Sequence, residues 1–161
     1  MANTQSMCTS FMGELMTATH NFGTAPVRAL TTADTFKAAL YFASATVNAA
    51  TTAYSTTGEV TNTSGSGYTA GGVTVTNGTA PTATNSSSTA GVAYWTPTAS
   101  FSWTSLTVTT AFDSVLIYNS TQSNKAVSVH TFGSQTITAG TFTLTMPSNT
   151  TTTALLRLAT T

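Results

Sequence analysis

The residues able to do chemistry are few and far apart. Two histidines (His20 and His130), one cysteine (Cys8) and four carboxylates (Glu14, Asp34, Glu59 and Asp113) make up the acidic, imidazole and thiol supply of the 161-residue chain. Neither histidine stands with a Cys or carboxylate at metal-ligand spacing. No two acids are close enough in sequence to propose as an acid/base pair. Serines are plentiful, yet no Gly-x-Ser-x-Gly sits on a strand-to-helix turn. Gly65-Ser66-Gly67 and Gly71-Gly72 lack the Lys-Ser/Thr and the following helix that a phosphate loop needs. The expectation is no catalysis, no cofactor and no metal. Cys8 reads as a small apolar residue rather than a cross-link. His130 alternates with Val127 and Val129 in a strand and is expected to face solvent or a subunit contact. Asp113 is expected to cap a turn through backbone N–H groups.

The elements that must position these groups are mostly strands. Residues 1–33 lack strand alternation. There Met7, Phe11, Leu15 and Ala18 recur at helical spacing, which predicts a short amphipathic helix over Thr9–Thr19, weakened by Gly13. So short a helix needs a surface to dock on, either its own domain or a neighbouring subunit. From residue 34 onward the chain predicts a β-domain. Thr35–Phe42 alternates, with Phe36, Ala38, Leu40 and Phe42 on one face and Lys37 and Tyr41 on the other. A Thr/Ser/Gly-rich loop spans 43–72, with a short helix near Thr51–Ser55 or an Ω-like excursion. Strands follow at 73–76, 92–95, 100–109, 112–119, 126–132, 136–138, 141–146 and 152–159, with turns at Asn77-Gly78 and Ala139-Gly140. Phe101 and Trp103 share one parity while Leu106 and Val108 share the other, so a bulge or bend is expected near Thr104-Ser105. The consecutive Val115, Leu116, Ile117 and Tyr118 read as a central strand covered on both faces. Eight or nine short strands predict an all-β fold, a single β-sandwich of jelly-roll-like type carrying an N-terminal arm.

Composition sharpens the class. Charged residues are 5% of the chain, against about 25% in ordinary domains. Thr alone is about a quarter of it, and its β-branched Cβ suits pleated, half-buried surfaces. The formal net charge is zero, a surface that resists association poorly and suits a protein packed against neighbours. Arg28, Lys37, Lys125 and Arg157 are scattered, which disfavours nucleic acid. No apolar run reaches the roughly 18–20 residues of a membrane span, and the first residues do not read as a secretory signal. Sequons at Asn62, Asn77, Asn85, Asn119 and Asn149 are the chance yield of a Thr/Ser-rich chain.

Several stretches also carry a resemblance. Thr35-Phe36-Lys37-Ala38-Ala39-Leu40-Tyr41, Tyr54-Ser55-Thr56-Thr57-Gly58-Glu59-Val60 and Gly67-Tyr68-Thr69-Ala70-Gly71-Gly72 come first. Val115-Leu116-Ile117-Tyr118-Asn119, Phe132-Gly133, the closing Phe142-Thr143-Leu144 to Pro147, and the opening Met7-Cys8-Thr9-Ser10-Phe11 complete the set. Together they resemble a group of small structural proteins of tailed bacteriophages. The resemblance implies a virion component made in the host cytoplasm. It implies a head decoration or cement protein on the capsid surface that contacts the major capsid protein and other copies of itself as a dimer or trimer. On that expectation Phe11, Met12, Leu15 and Met16 are apolar anchors of the arm, because aromatic and Met side chains are enriched at interface cores. Tyr41, Tyr54 and Tyr68 are further contact candidates, with packing inside the same domain as the alternative. The rival functions are a tail or head–tail junction component, or a carbohydrate-binding module using Trp95, Trp103 and the tyrosines as a stacking platform.

Overall fold

The computed structural model describes residues 3–8, 10, 11, 15, 19, 20, 22, 33–61, 65–78, 80–84 and 91–159. Its described strands are β1 (Ser6–Met7), β2 (Phe36–Phe42), β3 (Val73–Thr74), β4 (Thr82–Ala83), β5 (Val92–Trp95), β6 (Phe101–Asn119), β7 (Lys125–Leu144) and β8 (Leu156–Ala159). They form two antiparallel sheets, ordered β1-β7-β6-β2-β3 and β4-β5-β8. The chain is therefore all-β and two-layered, a sandwich.

The apolar run at Val115–Tyr118 sits in β6, the middle strand of the large sheet. Strand pleating sends Phe36, Ala38 and Leu40 of β2 to one face and Ala39 and Tyr41 to the other. Both faces are covered, and all five side chains are 0% exposed. On the first face Phe22 stacks on Phe36 with centroids 4.3 Å apart and meets Trp95 of the small sheet at 4.8 Å. On the second, Tyr54 stacks on Tyr118 at 4.5 Å, and the 43–60 segment roofs the sheet. The roof has no helix at Thr51–Ser55. Ala53 instead bridges to Lys125, and Ala126 N donates to Thr52 O, so extended backbone crosses the face and finishes on β7.

Five expected strands are two. The 100–109 and 112–119 runs fuse into the 19-residue β6, and three shorter runs fuse into the 20-residue β7. The parity change is absorbed inside β6 by a register shift between Trp103 and Leu106, with Ser105 at φ 54°. Ala139-Gly140 makes no turn. Ala139 has φ 49° and Leu106 pairs with Gly140, so the strand bends and continues. The short polar side chains of these runs let the ladder absorb irregularities that sequence punctuation presents as ends. Asn77-Gly78 makes no hairpin either, because Gly78 lies against Thr98 and Thr98 N bonds to Thr76 O.

The N-terminal segment belongs to the same core. Ser10, Phe11 and Leu15 have α-helical backbone, while Met12 and Met16 lie outside the described residues. Cys8 and Phe11 are buried in one apolar cluster with both sheets, and β1 pairs with β7 at Ser6↔Val129 and Met7↔Ser128. Among the described residues, the N-terminal segment docks on its own sandwich.

Candidate functional site

Glu59 is a buried carboxylate bonded on both oxygens. An isolated bridge to Tyr41 holds it beside β2, and Gly58 supplies φ +78° where a Cβ would collide with Ala45. One carboxylate oxygen, Oε2, accepts from the Tyr54 hydroxyl at 2.6 Å. The other, Oε1, accepts from the Tyr68 hydroxyl at 2.8 Å and the Gly71 N–H at 2.6 Å. Tyr118 donates to Gly71 O at 2.8 Å, and Tyr41 donates to Ser55 O at 2.5 Å. Gly72, at φ +73°, lies so close to β2 that a Cβ would run into the Ala38 carbonyl. The described residues of 54–61 and 65–72 are thereby held against the side of β2 that faces away from β6 by a carboxylate with three donors.

These phenols are poor acids in this setting. Burial, then Glu59, raises Tyr118 to about 12. Burial is also the main cause pushing Tyr41, Tyr54 and Tyr68 up, with the Glu59 charge adding to each. A tyrosine that must stay protonated to bond a carboxylate is a clamp, not a nucleophile.

A second knot fixes the β6–β7 turn. Asn119 Nδ2 donates to Asp34 Oδ2 at 2.8 Å and faces His20 Nδ1 at 3.2 Å. Gln122 Nε2 donates to Asp34 Oδ1 at 3.2 Å, and Asn119 Oδ1 accepts from the Thr121 and Gln122 N–H groups at 3.1 Å each. Asp113 caps no turn. It lies within β6, and its Oδ1 accepts from Asn3 Nδ2 at 2.5 Å. Three of the four acids are thus bound inside the fold. Among the described residues no three His, Cys, Asp or Glu side chains gather to hold a metal.

The predicted contact residues fall in different places. Tyr41 and Tyr68 are 0% and 1% exposed, so their rings fill this chain's core and offer no surface to a partner. Pleat alternation placed Tyr41 on an outer face; the roofing loop, invisible to local periodicity, covers it. Tyr54 is half-buried on Tyr118. Phe11 is buried edge-on to His20 at 4.8 Å, and Leu15 lines an apolar cleft with Met7, Trp95 and Leu158. His130 sits half-buried beneath β8, with Nε2 2.9 Å from Ser128 Oγ, and burial holds its imidazole down at about 4.

Sequence reasoning passed over the outer edge of β7. Beyond Thr131 this strand runs on for 13 residues beside β6 alone, because β1 reaches only Ser128 and Val129. From Ala126 to Leu156 the chain has no Asp, Glu, Lys or Arg, a gap that a charge map would have revealed.

No family model, no curated protein and no solved structure matches this chain.

Proposed function

We propose that this chain is a non-enzymatic virion structural protein that decorates the outer capsid surface and cements major capsid protein capsomers, working in many copies. One observation supports the reading. Among the described residues the acids of this nearly uncharged chain, Asp34, Glu59 and Asp113, each bind groups of the same fold. What remains outside is a Thr/Ser surface with little charge to keep copies apart, the property that multivalent assembly requires. Both tryptophans, at 2% and 3% exposure, are core residues, which speaks against their serving as the stacking platform of a carbohydrate-binding alternative.

Copy number per particle tests the proposal. Gel densitometry against the major capsid protein should give a ratio of the same order as that protein. A yield matching a single ring of subunits moves the chain to the tail or the head–tail junction and overturns decoration.

A further inference from the structure

We infer that the outer edge of β7, centred on Thr136, pairs antiparallel with the same edge of a second copy of this chain. The inference rests on the assembly reading above but names the surface, and the two can fail separately.

The far half of the β6–β7 hairpin is a ribbon with an unfinished side. The ladder runs from Phe112↔Gln135 to Phe101↔Leu144, and β2 pairs with β6 only from Phe112 onward. Among the described residues, the backbone groups of Phe132–Leu144 bond only to β6, through the ladder and through Thr107 Oγ1, which accepts from the Ala139 N–H at 3.1 Å. A two-stranded ribbon is marginal by itself, and an open edge is a template for another strand. Natural edges are usually guarded by Lys, Pro or inward charges. This edge has none: Ser134, Gln135, Thr136 and Thr138 are all exposed and all uncharged. Gly133 at φ +79° and Ala139 at φ 49° bracket five residues of this edge, and between Gln135 and Ile137 the register against β6 shifts.

The occupant follows from the charge pattern. Pairing about a two-fold axis sets each residue opposite one of the same stretch, so any ionised side chain there meets a like charge nearby. A wholly neutral edge escapes that penalty. With the axis at Thr136, Ser134 faces the partner's Thr138, and hydroxyl pairs of this kind stabilise cross-strand contacts. The chain already uses one such pair within the ribbon, Ser102 Oγ to Thr143 Oγ1 at 3.3 Å. The product is a continuous four-stranded sheet of β6 and β7 from each copy.

Disulfide trapping tests it on the full chain. In a Cys8→Ala background, Thr136→Cys should oxidise to a linked dimer at least about tenfold faster than Thr56→Cys, which is exposed elsewhere. Equal rates overturn the inference. In sedimentation the unmodified chain should dimerise, and Thr136→Lys with Thr138→Lys should weaken that dimer at least about tenfold. A dimer that survives both lysines, or a chain that stays monomeric, overturns it. If the lysine variant loses its β circular dichroism, the cysteine rates decide. A chain that cross-links through Thr136→Cys yet is scarce in particles leaves the edge standing and sinks only the decoration reading.

Discussion

The Tyr68 hydroxyl donates to Glu59 Oε1 at 2.8 Å and accepts from the Leu40 backbone N–H at 3.1 Å. One oxygen thus joins the loop carboxylate to the backbone of β2. Glu59 is 3% exposed, and its charge is stabilised by three donors rather than by water. Replacing Glu59 with Ala strands those donors, and Tyr68→Phe strands the Leu40 N–H. Urea unfolding should show losses of about 3 kcal/mol and about 2 kcal/mol respectively. If either variant unfolds at the wild-type midpoint, the clamp is wrong.

The same cluster sets an alkaline limit. Tyr41, Tyr54, Tyr68 and Tyr118 hold their protons more tightly folded than unfolded. Their contribution to stability is complete below the unfolded phenol value of about 10 and is lost as pH rises through the folded values. Phenolate absorbance from these four should appear together with unfolding, not before it. Early, independent titration of all four in folded protein would contradict the burial described here.

His130 works at the acid end. Its folded value of about 4 lies below the ordinary 6.5, so the unfolded chain binds the proton first. Stability is fully present above about pH 6.5 and falls as pH drops toward 4, by about 2–3 kcal/mol from this group. Substituting Gln should flatten the acid limb of a melting-temperature profile, and a profile unchanged by the substitution would exclude His130 as its source.

Ser114 carries a buried hydroxyl with no hydrogen-bond partner in the middle of β6. Ser114→Ala removes that desolvated group with little change in volume. The variant should gain about 1 kcal/mol in chemical denaturation.

Phe11 is 2% exposed against His20 and Phe22. Phe11→Ala should cost about 3–5 kcal/mol, and deleting residues 1–19 should unfold or loosen the sandwich. A truncated chain with native stability would return this segment to the role of a free arm.

The sequence by itself determined the class. β-branched Thr, alternating Phe36–Phe42 and the unbroken Val115–Tyr118 run make strands, and an apolar run without alternation needs cover on both faces. The parity change between Trp103 and Leu106 marked the bulge, because side-chain period two allows no other repair. Only the tertiary structure decided what lay where. Tyr41 and Tyr68 belong to the core because the 43–60 segment folds back to roof one and Glu59 binds the other. Their local alternation contains no trace of that segment. Asp34 and Asn119, 85 positions apart, meet because the hairpin returns to the start of β2. The open edge of β7 is likewise a property of pairing. A strand's own residues state what it can bond, and only the neighbours it lacks state what it leaves free.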